Sequence, residues 1–412
     1  MQTLVPGGIL AKLTYEDCMK YPTKARVMKS TTSAAAIGLA LAAGAFAAPA
    51  PAQDVIRIGH VAATSGPIAH LGKDNENGAR MAVEELNAKG VVIGGKKYTI
   101  VLQAEDDAAD PKQATAAAQK LVDAKVQGVI GHETSGTSIP ASRIYYDAGI
   151  PQISPSASNP QYTRQRYNTT FRNVANDEQL GAALARYAMQ QVKAKRIAVI
   201  DDRTAYGKGL ADEFIKNVKR GGAAAGTSIV STQFTNDKAT DFSAILTAVK
   251  ATKPDMIFFG GMDAVAGPML RQMKQLAIPI KFMGGDGMCS DSVPRLAGNA
   301  MSDGQVICAE AGGVEPSQEK GMADFRVAYK KRYGIDVQTY APYTYDALMT
   351  MVAAMRKAGS PDPARYLPEL AKIQYKGVTG NIAFDARGDV KDGVLTIYTF
   401  ENATREKLAV VK

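Results

Sequence analysis

The stretch 126–138, VQGVIGHETSGTS, decides the fold. Its first half, from Val126 to Gly131, is a short run rich in β-branched residues, which predicts a buried strand. Its second half carries four hydroxyl side chains and enters a segment, Ser138 to Ala148, whose pattern predicts a helix. A strand that passes through a polar turn into a helix is the repeating unit of a parallel α/β sheet.

The same alternation continues on both sides of this stretch and predicts parallel sheets flanked by helices. After Gly312 the pattern changes to two long helices, 317–333 and 342–358, and a β-rich tail. The other predicted strands are Val55–Val61, Thr99–Ala104, Ile150–Ile153, Arg196–Ile200, Ser228–Gln233, Met256–Phe259, Ile280–Met283, Gln305–Ala309 and Leu395–Phe400.

The number of predicted strands is larger than one open sheet normally contains. We expect the chain to divide into two halves near Arg172 and Asn173, after a loop rich in Pro, Ser and Asn. Each half is then expected to form an open sheet that binds ligands at the carboxyl ends of its strands.

The N-terminus has the order of a secretory signal: Met28-Lys29, an alanine-rich run from Ala34 to Ala48, and the small-residue site Ala50-Pro51-Ala52. The apolar run is shorter than the roughly 20 residues of a spanning helix, although a membrane anchor is the alternative interpretation. We expect residues 1–52 to be an upstream extension plus signal peptide. The mature chain then begins at Gln53 and resides in the periplasm.

Composition excludes some classes of function. The net charge is +9, but no dense Lys/Arg run occurs and aromatic residues are sparse, so nucleic-acid binding is not expected. Of three cysteines, Cys18 precedes the predicted cleavage site. Cys289 and Cys308 remain, and an oxidising compartment favours a disulfide between them over two buried thiols.

Polar loops follow the predicted strands. Ser135 lies at a helix start and Ser156 and Ser158 follow the next strand, an arrangement that suits an anion, although such hydroxyls also serve as ordinary helix caps. In the second half, Asp286 lies between glycines at a strand end, where it either receives an ammonium or forms a turn.

Enzymatic motifs are absent. No GxSxG, GxxxxGK[ST], HExxH or GxGxxG follows a strand, and no metal or cofactor site is expected. His60, His70 and His132 match no metal spacing, and we expect each on a loop or the surface. A hydrolase that pairs His132 with Ser135 would need a nucleophile elbow.

At these loops, from about Val55 to its end, the chain resembles the leucine/isoleucine/valine-binding proteins of bacterial ABC transporters, which have the type 1 periplasmic binding-protein fold. The similarity rests on motifs in the family's order and spacing. They are Ser65-Gly66-Pro67, Glu105-Asp106-Asp107-Ala108, Asp110-Pro111-Lys112-Gln113-Ala114, Val129-Ile130-Gly131-His132, Pro140-Ala141-Ser142, Ile153-Ser154-Pro155, Tyr206-Gly207-Lys208-Gly209, Asp241-Phe242-Ser243, Gly260-Gly261 and Phe282-Met283-Gly284.

The resemblance implies two lobes joined by three crossovers that close around a ligand. It assigns residues 53–173 and 311–380 to an N-terminal lobe, and 174–310 and 381–412 to a C-terminal lobe. It also implies a monomer that delivers an amino acid to a membrane permease.

The resemblance further implies the site. The ligand carboxylate meets Ser135 and Ser158, the ammonium meets the Ser156 carbonyl and Asp286, and Tyr206 closes over the ligand. Ala157, Leu71, Met262 and Tyr340 complete the expected ligand contacts. Leu71 and Met262 stand where relatives have tyrosines, and this leaves the ligand side chain open. An amide, urea or aromatic acid is the alternative ligand, and a sensor of the same fold is the alternative role.

Overall fold

The computed structural model describes residues 54–313 and 318–411. The predicted upstream extension and signal peptide, residues 1–52, lie outside the described residues. Within these two ranges, no helix combines the length and the apolar character that crossing a bilayer requires.

The first sheet has six strands in the order β2-β3-β1-β4-β5-β6. β1 lies near its centre and pairs in parallel with both β3 and β4, while the edge strand β2 pairs antiparallel with β3 through a tight Gly94-Gly95 turn. The strands are β1 Asp54–Ala62, β2 Val91–Ile93, β3 Lys96–Asp106, β4 Gly128–Gly131, β5 Gln152–Ser154 and β6 Thr170–Arg172.

The second sheet has seven strands in the order β15-β14-β11-β10-β9-β7-β8. Its first five strands along the chain run parallel, and β14 and β15 add an antiparallel edge. The strands are β7 Arg196–Asp201, β8 Ser228–Phe234, β9 Met256–Gly260, β10 Lys281–Gly284, β11 Val306–Glu310, β14 Leu395–Glu401 and β15 Thr404–Val411; β12 Tyr375–Lys376 and β13 Asn381–Ile382 form a separate pair.

Helices cover both faces of the two sheets. The helix α5 continues into a single wider turn at Ala188–Val192. The helices are α1 Ala69–Lys89, α2 Pro111–Asp123, α3 Ser135–Asp147, α4 Gln161–Arg164, α5 Asp177–Tyr187, α6 Ala205–Ala225, α7 Ser243–Ala251, α8 Asp263–Gln275, α9 Val293–Ala297, α10 Glu319–Tyr333, α11 Ala341–Ala358 and α12 Pro363–Leu370.

Two separate sets of cores divide the molecule into two lobes. The first lobe is the six-stranded sheet with α1–α4 and α10–α12, because its main core joins Ile58 of β1 to Met351 of α11. The second lobe is the seven-stranded sheet with α5–α9, whose two faces bury Phe214 and Met269 respectively. The chain therefore passes between the lobes after β6, after β11 and before β14, and the predicted α/β class with three crossovers is confirmed.

The element predictions hold for the long patterns and miss the short ones. Asp110 caps α2 with its side chain, which accepts hydrogen bonds from the N–H groups of Lys112 and Gln113. β6, with three residues, and α12 were not predicted, because such short segments carry too few apolar positions to show a period. The helix that was predicted to begin at Ser138 begins at Ser135, so Ser135 lies in its first turn.

Candidate functional site

Each sheet has a point where the chain order reverses, and such crevices are where open α/β sheets bind ligands. In the first sheet the reversal lies between β1 and β4, and in the second between β7 and β9. The segments that leave these strands are Ala63 after β1, His132 to Ser135 after β4, and Met262 after β9. The predicted loops therefore lie at the topologically expected edge of each sheet.

The serine loops of the first lobe are joined to each other. The Ser135 hydroxyl accepts a hydrogen bond from the N–H of Asn159 at 3.1 Å, and the Ser156 hydroxyl donates to the Glu133 carbonyl at 2.7 Å. Both serines are buried. Because Ser135 occupies the first turn of α3, an anion beside it would also meet the positive end of that helix.

Arg172, which the sequence analysis noted only as a dividing point, fixes the second serine loop. Its fully buried guanidinium donates to the carbonyls of Ala157 at 2.7 Å and Asn159 at 3.0 Å, and to Asp389 at 2.6 Å. Burial alone would raise the pKa of Asp389, but the charge and hydrogen bond of Arg172 outweigh it and hold that pKa below its ordinary value. No local sequence pattern predicts the ion pair of Arg172 with Asp389, because the two residues lie 217 positions apart.

Asp286 is the acid of the second lobe, and it is buried. Its carboxylate accepts hydrogen bonds from the Tyr206 hydroxyl at 2.8 Å and the Tyr340 hydroxyl at 3.0 Å. Tyr206 belongs to the second lobe and Tyr340 precedes α11 of the first lobe. Burial raises the pKa of Asp286 to about 6, and the two tyrosine hydrogen bonds limit that rise.

An apolar cluster adjoins this acid. Leu71 and Tyr340 pack with Ala63 and Ile68, and the partly buried Met262 packs against them from the second lobe. A Cβ built on Gly287 would come within 2.6 Å of the Met262 sulfur and 2.7 Å of the Tyr206 ring. Leu71, Met262, Tyr340, Tyr206 and Asp286 are thus contiguous, as a site with an apolar and a polar part requires.

Ser158 lies beside a second acid that the sequence analysis missed. The Ser158 carbonyl accepts the N–H of Asp177 at 2.8 Å, and the two side chains lie side by side without a hydrogen bond of normal geometry. Burial, followed by the charge of Asp286, raises the pKa of Asp177 to about 8. Asp177 therefore links the serine loops to Asp286, and only its place at the start of α5 could have drawn attention to it.

The expectation that each histidine lies on a loop or the surface is wrong for His60, whereas His132 does lie on the loop after β4 but is buried there. His60 lies fully buried in β1. His132 is also fully buried, with Nδ1 at 2.8 Å from Asp107 and Nε2 at 3.0 Å from the Tyr145 hydroxyl. His132 is therefore hydrogen-bonded through both ring nitrogens, whereas His60 is bonded through Nδ1 to the Ile130 carbonyl and its Nε2 has no partner among the described residues.

His70 instead makes a contact between the lobes. Its Nε2 lies 2.6 Å from Asp263 at the start of α8, and the imidazole is 23 % exposed while the aspartate is buried. Ser290 donates a hydrogen bond to the same carboxylate.

The predicted disulfide is confirmed: Cys289 and Cys308 are bonded. The bridge ties the segment directly after Asp286 to the strand β11. It therefore restrains the loop that carries the acid.

The arrangement suits binding rather than covalent catalysis. Both nitrogens of His132 are occupied by Asp107 and Tyr145, so this histidine does not pair with Ser135 as a base would. Charged and apolar groups instead converge from two lobes on one crevice. Fold and site together define a two-lobed ligand-binding protein.

Comparison with known proteins agrees with this class. The family model described as "Periplasmic binding protein" matches residues 55–404. The "Leu/Ile/Val-binding protein homolog 1" of Brucella abortus is 35 % identical over 90 % of this chain and 96 % of its own. The "leucine-, isoleucine-, valine-, threonine-, and alanine-binding protein" of Pseudomonas aeruginosa is 32 % identical over 92 % and 99 %.

A solved structure is similar as well. The branched-chain amino acid transporter substrate-binding protein LivJ of Streptococcus pneumoniae, in complex with isoleucine, superposes with a TM-score of 0.79 and 27 % identity, over 87 % of this chain and 99 % of that one. The chain belongs to the periplasmic binding-protein family, and specifically to its branch of leucine/isoleucine/valine-binding proteins. It is an extracytoplasmic substrate-binding protein of the ABC-transporter type and not an enzyme.

Proposed function

We propose that this protein captures a free α-amino acid in the crevice between its lobes and delivers it to the membrane permease of an ABC transporter. The observation that carries the proposal is the buried carboxylate of Asp286, which accepts a hydrogen bond from one hydroxyl group of each lobe. A buried acid of this kind needs a counter-charge, and a ligand ammonium supplies it. The names of the relatives, which list leucine, isoleucine and valine and in one case also threonine and alanine, support the same ligand class.

The carboxylate of the ligand is assigned to the first lobe, and the ammonium to groups of both lobes. Its carboxylate meets the Ser135 and Ser158 hydroxyls beside the start of α3, where the helix dipole favours an anion. Its ammonium meets Asp286 and the Ser156 carbonyl, with the Asp177 carboxyl close by. Leu71, Met262, Tyr340 and Ala157 enclose the ligand side chain.

Closure follows from this division of contacts. Each lobe holds part of the site, so a ligand that touches both stabilises the closed arrangement over the open one. The crossovers after β6 and β11, where the Ala175 N–H donates to the Ala311 carbonyl at 3.0 Å, are the natural hinge. The closed monomer in the periplasm then docks on the permease.

A thermal-shift screen with the twenty common amino acids tests the proposal. A ligand at about 100 times its Kd stabilises the folded state by about 2.7 kcal/mol, which is readily measured. We expect at least one amino acid to raise the melting temperature of the wild type and to lose that effect in Asp286→Ala. No shift with any amino acid would contradict the proposed function. Uptake of the same amino acid into membrane vesicles, with and without added protein, then tests delivery.

A further inference from the structure

The clamp proposed above leaves Glu133 without a role, although this acid lies two residues before Ser135. Its side chain is buried, with 3 % exposed. Oε2 accepts the N–H of Ala63 at 2.9 Å, but Oε1 has no hydrogen-bond partner among the described residues. The backbone of Glu133 is held by the Ser156 hydroxyl, so its side chain is aimed from a fixed point.

Glu133 lies beside the part of the crevice that the ligand side chain is proposed to occupy. The N–H that it contacts belongs to Ala63, which packs in the apolar cluster with Leu71 and Tyr340. This contact spans from the end of β4 to the end of β1, the two strands on either side of the reversal point of the first sheet. The Glu133 carboxyl is close enough to Tyr340 to contribute to the raised pKa of that tyrosine.

The surroundings disfavour the ionised form of this carboxyl. Burial raises the pKa of Glu133 well above its ordinary value, and the charges of Asp107, Asp74 and Asp263 act in the same direction, while the Ala63 hydrogen bond opposes them. Since Oε2 accepts the backbone N–H, Oε1 is the oxygen left to contact a ligand. The pocket wall therefore presents a carboxyl oxygen that has no hydrogen-bond partner within the described parts of the chain.

A hydroxyl or amide group is the partner that this oxygen fits. An ammonium brings three N–H donors and would need several acceptors, whereas Ala63, whose N–H Glu133 accepts, packs among the apolar side chains of Leu71 and Ile68. The nearby acids are already engaged: Asp107 with His132, Asp263 with His70, and Asp74 with four backbone N–H groups. A ligand hydroxyl or amide needs only one hydrogen bond from this oxygen.

We propose that Glu133 is a specificity-determining residue, which makes the site favour a neutral amino acid whose side chain carries a hydroxyl or amide oxygen over an aliphatic amino acid of the same shape. The inference rests on the proposed function, because it takes the amino-acid clamp as given. It narrows the ligand class from α-amino acids in general to neutral amino acids with a hydrogen-bonding side chain.

Two pairs of ligands with matched shapes test it by calorimetry: threonine against valine, and asparagine against leucine. We expect the wild type to bind the polar member of at least one pair about tenfold or more tightly, because a site built to hydrogen-bond a hydroxyl rejects the analogue that lacks it. Glu133→Gln keeps one acceptor and one donor and should keep the preference. Glu133→Met removes both and should reverse it.

The outcomes separate this inference from the proposed function. Aliphatic ligands that bind as tightly as their polar partners, or a ratio unchanged in Glu133→Met, would overturn the role of Glu133 and leave the amino-acid clamp standing. Tighter binding of lysine or ornithine would overturn the preference for a neutral side chain. Failure of all four ligands and of the twenty-amino-acid screen would remove both proposals. If Glu133→Met does not fold, the wild-type ratios and Glu133→Gln still decide.

Discussion

The two walls of the crevice are held in different ways. In the first lobe, the serine loops are fixed by buried groups that lie behind them, chiefly Arg172 with its bonds to Asp389 and to the Ala157 and Asn159 carbonyls. In the second lobe, the Asp286 carboxylate accepts hydrogen bonds from two tyrosine hydroxyls, that of Tyr206 in the same lobe and that of Tyr340 in the first lobe. One wall is a preformed platform, whereas the other depends on contacts that closure completes.

This difference predicts whether a substitution changes stability, ligand affinity or both. Damage to the platform should reduce the stability of the ligand-free protein as well as its affinity, because the same bonds serve both. Damage to the Asp286 wall should reduce affinity with little loss of stability, because a buried carboxylate with a raised pKa does not favour the folded state.

Arg172→Met should have the largest effect. It leaves Asp389 as a buried charge without its partner, and breaking such a pair costs about 3–5 kcal/mol of unfolding free energy. Urea denaturation followed by circular dichroism measures this loss. The control is Arg164→Met, which breaks the partly exposed pair with Glu178 and should change stability by about 1 kcal/mol or less. Equal losses of unfolding free energy in the two variants would show that Arg172 does not hold the serine loops as proposed.

Asp286→Asn should lower ligand affinity about a hundredfold or more, since the ammonium loses its counter-charge in a buried site. Its unfolding free energy should equal or exceed that of the wild type. Calorimetry and urea denaturation on the same sample check both parts. The control Asp212→Asn removes an exposed carboxylate on α6 and should leave affinity unchanged. A destabilised Asp286→Asn with normal affinity would reverse the contrast between the walls.

The sequence predicted the expected ligand contacts of both walls better than it predicted the buried groups beside them. The serines and Asp286 follow strands directly, so the strand–helix alternation and the resemblance located them. Arg172 and Asp177 escaped because their roles depend on chain segments that meet only after folding. The roles of Ser135, Ser156, Ser158 and Asp286 toward a ligand stay predictions, as do the exact lobe boundaries at residues 173, 310 and 380.

The pH dependence should differ between affinity and stability. With a pKa of about 6, Asp286 is ionised at pH 7 and protonated at pH 5, so affinity should fall about tenfold over this interval. Because that pKa is raised above its ordinary value of 3.8, the contribution of the group to stability is fully present below about pH 4 and is lost as the pH rises through 6.

Calorimetry from pH 5 to 8, alongside denaturation over the same range, measures the two trends. Other groups also titrate, so the quantity to compare is the difference between the wild type and Asp286→Asn at each pH. The difference in affinity should shrink toward pH 5, while the excess stability of Asp286→Asn should shrink as well. A constant difference in both would place the titration elsewhere.

His70→Ala should have the smallest effect. The bond between His70 and Asp263 joins the lobes, so its loss should make closure less favourable, but the imidazole is partly exposed and such contacts contribute about 1 kcal/mol or less. We expect affinity to fall about threefold to fivefold and stability to stay the same. Ser290→Ala removes a bond to the same carboxylate within one lobe and serves as the comparison. Identical affinity in His70→Ala and wild type would show that this contact does not assist closure.

The most direct test of the two-walled clamp uses the amino acid with the largest thermal shift and two truncated analogues, one without the ammonium group and one without the carboxylate. Calorimetric titration of the wild type should give a micromolar-range Kd for the whole amino acid. The affinity for each analogue should be lower by about a hundredfold or more, because each analogue lacks one of the two charged groups that the site binds. Binding of either analogue as tightly as the amino acid itself would contradict the account.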